Sequence, residues 1–273
     1  MVKTPLFSPT LFCDALRQTG AYDAPPGRRP LPSVAATPLF YAGILSAYYR
    51  GWRESFRPAF SNRLLATISH SIWGLCASLG GAFDVSGFTR LPPAAVYVSN
   101  HASQLETYLL PGILLAFGDI AVVLKEEITR YPFLGRIARK ARSIAIGRAN
   151  PVADLRKVLT DGEAALCEGR NVLIFPQGTR RPLFAPESFN TIGARLAQRA
   201  GVPLVPVAVK TDFLPIGKPF RDLSPVRTKS VIRIRCGTPV PPTESPKDAH
   251  AQCLAHITDT LRAWQSLDGV PLL

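Results

Sequence analysis

Two stretches of this chain hold residues able to do chemistry. The string Ser99-Asn100-His101-Ala102-Ser103-Gln104-Leu105-Glu106 directly follows the apolar run Ala94-Ala95-Val96-Tyr97-Val98. A short β-like run that stops at a histidine places an imidazole on the rim of a sheet, where a general base is useful. Further along, Val172-Leu173-Ile174-Phe175 runs into Pro176-Gln177-Gly178-Thr179-Arg180-Arg181, a second buried-strand pattern ending in a tight turn rich in donors. Backbone N–H groups, the Thr179 hydroxyl and the Arg180 guanidinium suit a phosphate, which arginine grips through two parallel hydrogen bonds. One rim offers a base and the other an anion cradle. Together they point to group transfer onto a substrate that carries a phosphate.

The spacing of His101 and Glu106 admits two readings. Residues five apart in a helix lie about 140° around the axis and do not meet. The two cooperate only if His101 precedes the helix and Glu106 sits in its first turn. The pattern Ser103-Gln104-Leu105-Glu106 supports this, because it is a capping box with Ser103 as N-cap. The carboxylate then holds one imidazole nitrogen and leaves the other free to take a proton from a hydroxyl. In the alternative, Glu106 only caps the helix and His101 is a satisfied rim histidine. Locally, Gly178 to Arg180 also reads as a surface turn with a solvated arginine. Arg148, after Ile144-Ala145-Ile146-Gly147, and Lys125 both follow strand candidates. Each either joins the phosphate site or is solvated.

Strand candidates that would position these residues are 82–85, 94–98, 120–124, 143–146, 172–175, 204–209 and 231–235. Helix candidates are 107–117, 133–140, 151–167, 192–200 and 248–267. Several strands are continuous apolar runs, as expected when both sheet faces are covered. The pattern predicts an α/β fold, a layered sheet with flanking helices, over residues 83–273. Residues 1–37 read as an arm ending in a basic, proline-rich linker, Pro25-Pro26-Gly27-Arg28-Arg29-Pro30-Leu31-Pro32, with little to pack.

Between them, residues 38–82 hold two helix candidates, 39–56 and 64–79. The first is apolar on one side (Phe40, Ile44, Tyr48, Trp52), with Arg50, Arg53 and Arg57 near its end and Arg63 beyond. That composition fits an interfacial helix, with rings at headgroup depth and cations beside lipid phosphates, or an amphipathic helix on the core. The stretch 64–83 is interrupted by His70, serines and glycines, whereas a span needs ~20 predominantly apolar residues. The expectation is a membrane-associating segment that does not cross.

The charge balance narrows the partners. Among 273 residues, 32 Lys+Arg against 19 Asp+Glu give a net charge of +13, which favours an anionic partner. Nucleic acid is excluded as the expected partner: no helix-turn-helix, RRM or zinc-finger signature is present, and the mean hydropathy is +0.12. An acidic membrane surface or a phosphorylated substrate fits better. The five cysteines are odd in number and never form a C-x-x-C pair, so neither a disulfide framework nor a zinc site is expected. No apolar h-region follows Met1-Val2-Lys3-Thr4-Pro5, which together with the thiols suggests the cytoplasmic face.

The ordered blocks His101 to Glu106, Gly135 to Arg148, Phe175 to Arg180 and Val202 to Val207 resemble those of the glycerolipid acyltransferases of the lysophosphatidic acid acyltransferase type. Each block alone is weak, but four in order are specific. The resemblance covers roughly residues 83 to 240. It implies a membrane-bound enzyme that moves a fatty acyl group from a CoA or acyl-carrier-protein thioester to the hydroxyl of a lysophospholipid, foremost 1-acylglycerol-3-phosphate. In that family the histidine, here His101, is the base and the acid, here Glu106, orients it. The third block, with Gly178, Thr179 and Arg180, binds the acceptor's phosphate, and Lys125 and Arg148 would assist there. No cofactor and no metal are implied. The acceptor hydroxyl attacks directly, and no G-x-S-x-G elbow for a serine acyl-enzyme is present. Three departures stand out: Glu106 where Asp is commoner, Gln177 where the family usually has Glu, and Asn190 near a common Lys. The last two leave the acceptor open. A thioester or lipid hydrolase and a non-catalytic lipid-binding protein of the same fold are the competing readings.

Overall fold

The strands that are buried at every residue form the middle of the sheet. In this computed structural model, which describes residues 7–26, 29–57 and 62–273, the strands are β1 (Tyr22–Ala24), β2 (Ala82–Ser86), β3 (Val96–Ser99), β4 (Ile120–Lys125), β5 (Ile144–Ile146), β6 (Asn171–Ile174), β7 (Leu204–Lys210) and β8 (Val231–Cys236). Their order is β1-β2-β8-β7-β3-β6-β4-β5. Every residue of β3, β6 and β7 is buried, as their unbroken apolar runs require when both faces are covered. Toward one edge β8 alternates, with Ile232, Ile234 and Cys236 inward and Arg233 and Arg235 outward.

Helices cover both faces. On one side lie α1 (Pro9–Thr19), α2 (Ser33–Glu54), α3 (Asn62–Ser78) and α4 (Leu105–Leu114), whose Phe12, Phe40, Trp73 and Leu109 share a core with Tyr97, Leu173, Val205 and Ile234. On the other lie α6 (Pro151–Cys167), α7 (Ile192–Ala200) and α8 (Pro246–Asp268), where Val158, Leu196 and Trp264 pack with Val96, Val172 and Ala208. A short α5 (Leu134–Lys140) packs beside α2. Capping follows local sequence. Asn150 and Ser245 accept from first-turn N–H groups ahead of a proline at the start of α6 and α8. The sheet flanked by helices and all seven expected strands are present.

β3 runs parallel to both β6 and β7, and β4 runs parallel to β6 and β5. The carboxyl ends of these five strands therefore share one edge, which is where open α/β sheets bind ligands.

The N-terminal third differs from expectation. Residues 9–24 are not an arm: α1 buries Phe12 and Leu16, and β1 pairs antiparallel with β2 at the sheet edge. The proline-rich stretch packs too. Leu31 N–H donates to the Leu79 carbonyl (3.1 Å), and Pro30 lies so close to Gly80 that a Cβ there would meet it at 2.4 Å. Gly27 and Arg28 of that stretch, and the Met1–Pro5 start, lie outside the described residues, as does the Arg63 side chain. α2 begins ahead of Pro38 rather than after it. Its aromatic side is also turned the other way from an interfacial helix. Phe40 is fully buried, and Ile44, Tyr48 and Trp52 pack against the core. The large apolar residues left outside on α2 are Val34, Leu39, Leu45 and Tyr49, with Phe56 just beyond its end.

The polar interruptions of the 64–83 stretch have a structural use. Ser69 Oγ donates to the Tyr108 carbonyl (2.6 Å), His70 Nε2 bonds the Gly112 carbonyl (3.0 Å) and Trp73 Nε1 donates to the Leu109 carbonyl (3.1 Å). These dock α3 on α4 around Pro111, which cannot supply its own N–H to the helix. Burial there lowers the His70 pKa, which keeps the ring neutral. Among the described residues no helix is long and apolar enough to cross a membrane.

Candidate active site

β3 delivers His101 to the rim, and a side chain fixes the loop that carries it. Asn100 behaves as a further peptide unit between β3 and β7: its Nδ2 donates to the Val209 carbonyl (2.9 Å) and its Oδ1 accepts from Val209 N–H (2.8 Å). The chain then turns, and Glu106 enters in the first turn of α4. His101 Nδ1 lies 2.8 Å from Glu106 Oε1. The ring stacks on Phe175 with centroids 4.5 Å apart. With a carboxylate on Nδ1, that nitrogen carries the proton and Nε2 is left as the acceptor. No described residue bonds Nε2.

Glu106 has no exposed surface. Its Oε1 accepts from Ser103 N–H (2.8 Å) as well as from His101, and its Oε2 accepts from Thr211 Oγ1 (2.6 Å) and from Ser103 Oγ (2.9 Å). The buried carboxylate is thus hydrogen-bonded at both oxygens, as burial of a polar group requires. The capping box is only half realised. Glu106 reaches back to Ser103 N–H as expected, but Ser103 Oγ accepts from Leu105 N–H (2.9 Å) and the helix begins one residue later.

β6 delivers the Phe175–Arg180 turn, the expected anion cradle, beside this pair. The turn tightens through Gly178, whose φ of +68° is left-handed and whose missing Cβ would face open space, so the glycine serves the backbone. Gln177 is buried, and its Oε1 accepts from His101 N–H (2.7 Å). The amide therefore does the accepting that a Glu would do at this position. Its Nε2 is buried with no partner among the described residues. Asn190 ties the turn down as well: its Nδ2 donates to the Pro176 carbonyl and its Oδ1 accepts from Ile192 N–H (3.0 Å) at the start of α7.

Arg180 is not a solvated arginine. Its side chain is 19% exposed and its Nη2 lies 2.5 Å from Asp222 Oδ1. Asp222 arrives on the long β7–β8 loop, whose first residue, Thr211, holds Glu106. Tyr108, on α4, lies near both charges. Burial and then Asp222 push its phenol pKa up, and Arg180 opposes them. Thr179 is exposed at the lip.

Lys125 and Arg148 stand on the same rim, at the ends of β4 and β5, but the structure does not join them to the pair. Lys125 Nζ pairs with Glu127 (2.6 Å). Arg148 is exposed, with its backbone N–H held by Asp154 (2.8 Å). The residues that sequence reasoning missed are Thr211, Asp222 and the Gln177 side chain. Only Thr211 left a signal, as a hydroxyl directly after an apolar run.

Residues 82–210, which hold both His101–Glu106 and the Phe175–Arg180 turn, match the family model described as Acyltransferase. That stretch is similar to the acyltransferase family. Over 139 residues the chain is 35% identical to a 1-acyl-sn-glycerol-3-phosphate acyltransferase of Pseudomonas aeruginosa, covering 50% of this chain and 53% of that protein. It is 29% identical over 158 residues to a protein of the same name from Limnanthes alba, covering 58% and 56%. A lyso-ornithine lipid O-acyltransferase of Pseudomonas aeruginosa is 35% identical over 138 residues, covering 50% of each chain. The chain thus spans about half the length of the curated relatives it matches. The crystal structure of the 1-acyl-sn-glycerophosphate acyltransferase of Thermotoga maritima superposes with a TM-score of 0.62 at 20% identity, covering 84% of this chain and 95% of that one. That likeness is one of fold. The family is the one the four sequence blocks resemble.

Proposed function

We propose that the protein transfers a fatty acyl group from a thioester, acyl-CoA or acyl-carrier protein, to the hydroxyl of a lysophospholipid, foremost 1-acylglycerol-3-phosphate. The observation that carries this is the His101–Glu106 contact of 2.8 Å, with Nε2 unengaged on the rim that also holds Arg180. His101 Nε2 takes the proton of the acceptor hydroxyl as its oxygen attacks the thioester carbonyl. Glu106, fixed by Ser103 and Thr211, holds the ring and stabilises the imidazolium. Collapse of the tetrahedral intermediate breaks the C–S bond, and the leaving thiolate takes the proton back from the imidazolium. Arg180, with Gly178 and Thr179, binds the acceptor's phosphate, and Lys125 and Arg148 add positive potential along the rim.

The protein acts at the cytoplasmic membrane surface without crossing it. Val34, Leu45 and Tyr49 fall within about 60° of one another around α2, while the exposed Leu39 lies about 80° further round. Arg50, Arg53 and Arg57 lie beside that stripe, a pattern suited to lying in an interface.

The test is an assay of the purified full chain on vesicles carrying a panel of lysolipids, phosphorylated and ornithine-based, with both donor types, read by mass spectrometry. Transfer to a phosphorylated acceptor is expected, and His101→Ala should lose about 10²–10⁴-fold at equal folded protein. Free fatty acid without acylated lipid would make the protein a hydrolase. Transfer by His101→Ala within about threefold of the parent would remove the general-base role.

A further inference from the structure

A second concave site lies along the same β7–β8 loop. Residues 29–33, 215–218 and 224–229 enclose an open basin of about 1130 Å³. Its lining carries four cations, Arg29, Lys218, Arg227 and Lys229, and no carboxylate. None of the four forms an ion pair among the described residues, although this chain pairs many of its other surface cations. Between the charges the wall is apolar, with prolines 30, 32, 215 and 225 beside Ile216 and Val226.

The basin is built rather than incidental. Ser33 Oγ donates to the Val226 carbonyl (2.7 Å), Thr228 Oγ1 to the Leu31 carbonyl (2.7 Å) and Ser224 Oγ to the Pro215 carbonyl (2.7 Å). Val226 N–H donates to Thr37 Oγ1 (3.1 Å), and Ser224 N–H to the Tyr41 hydroxyl (2.7 Å). The two walls are therefore held at a fixed separation, as in a preformed ligand site. Unpaired cations converging on an apolar-walled cavity repel one another and favour a compact polyanion that has an apolar body.

We propose that this basin binds the 3′-phosphoadenosine diphosphate end of an acyl-CoA donor. That group carries a phosphomonoester and a diphosphate, about four negative charges near neutrality, against four cations in the lining. Its adenine has faces to lay on the proline-rich wall. The loop that walls the basin also places Asp222 on Arg180 and Thr211 on Glu106, so the basin and the His101–Glu106 pair are joined by one loop. The inference rests on the acyl-transfer reading and adds the donor class to it. An acidic carrier-protein helix, about 10 Å wide and convex, matches a concave basin poorly, and a single lipid phosphate would leave most of its cations unused.

The test uses the full chain and Arg227→Ala/Lys229→Ala, both exposed positions outside the catalytic and acceptor groups, with thermal melts to match folding. Calorimetry with adenosine 3′,5′-bisphosphate is expected to show binding to the parent that weakens with salt and is lost in the variant. The KM for acyl-CoA should rise about tenfold or more. The KM for the acceptor, and the rate with acyl-pantetheine, which lacks the nucleotide, should not change. No nucleotide binding to the parent overturns the proposal even if transfer proceeds. An equal loss with acyl-pantetheine, a loss only with acyl-carrier protein, or reduced flotation on anionic vesicles at unchanged acyl-CoA KM overturns it in favour of another occupant. If the parent transfers nothing from any donor, the acyl-transfer reading fails, and the calorimetry still decides the basin.

Discussion

At the residue scale the arrangement around Glu106 separates charge from shape. Its Oε2 receives only hydroxyls, Ser103 and Thr211, and these can rotate to accept as well as donate. Glu106→Gln can thus keep Oε1 on His101 Nδ1 and Ser103 N–H while turning its amide NH₂ toward the hydroxyls. Stability should change little, while kcat falls roughly 10²-fold or more because nothing then opposes the imidazolium charge. Glu106→Asp keeps the charge but is one methylene short of its partners, so it should retain part of the rate. Steady-state kinetics beside denaturation curves read both. Equal kcat in Glu106→Gln and the parent would reduce Glu106 to a cap. Arg180 is held by Asp222, a carboxylate standing where an acceptor phosphate would bind. Arg180→Ala is expected to raise the acceptor KM about 10–100-fold with the donor KM nearly unchanged, and Arg180→Lys should rescue only partly, lacking the planar fork. A raised donor KM with the acceptor KM unmoved would place Arg180 on the donor side.

At the scale of elements, an ion cluster fastens the antiparallel end of the sheet to the last helix. Arg233 on β8 donates to both oxygens of Asp268 (2.7 and 3.1 Å) and to Asp84 on β2, while Lys210 on β7 reaches Asp268 (3.1 Å) and Asp212 (2.8 Å). An acid at the end of α8 opposes the helix dipole, so Asp268 is useful there through its tertiary partners. The hydrogen bonds from Arg233, and then Lys210, hold its carboxyl below the usual carboxylate range against the opposing effect of burial. A depressed folded pKa gives stability that is present above the unfolded value, about 3.9, and is lost as pH falls through the folded value. Asp268→Asn should cost about 1–3 kcal/mol near pH 7. That difference should shrink as the pH falls below the unfolded value and through the lower folded one, as read by urea denaturation across pH. A gap that persists unchanged in acid would assign the effect to packing. The same scale settles what the N-terminal helices do for the fold. Phe12, Phe40 and Trp73 share one core with Phe83, Val205 and Phe213, so a chain truncated to begin near Phe83 is expected not to fold and cannot test membrane anchoring.

For the whole molecule, the net charge of +13 and the exposed stripe of α2 together predict binding to anionic bilayers. Point changes on that stripe can test this without touching the core: Val34 is 89% exposed, Leu45 58% and Tyr49 45%. Val34→Ser/Leu45→Ser/Tyr49→Ser should fold as the parent does and float poorly with anionic liposomes, while the parent floats. Flotation of both chains alike would remove α2 from the membrane contact. High salt should weaken the parent's binding, because the charge contribution is screened over about 10 Å at 0.1 M.

What the sequence alone determined is local in origin. Continuous apolar runs ended by turn residues marked β3 and β6, and so placed His101 and Arg180 at strand ends. Four ordered blocks carried the family, because each is a short contiguous string. α1 and β1 escaped notice because an eleven-residue helix and a three-residue strand carry little periodicity, and β1 exists only by pairing with β2. Helical spacing found the apolar sides of α2 but could not say which one the core takes, since that depends on where α4 and the sheet lie. The partners of the site were likewise out of reach of local reading. Thr211 bonds Glu106 from 105 residues away, Gln177 bonds His101 from 76 and Asp222 bonds Arg180 from 42. The strand order, which sets β7 and β6 on either side of β3, brings Thr211 and Gln177 to the His101–Glu106 pair, and the path of the β7–β8 loop sets the fixed charge of Asp222 against Arg180.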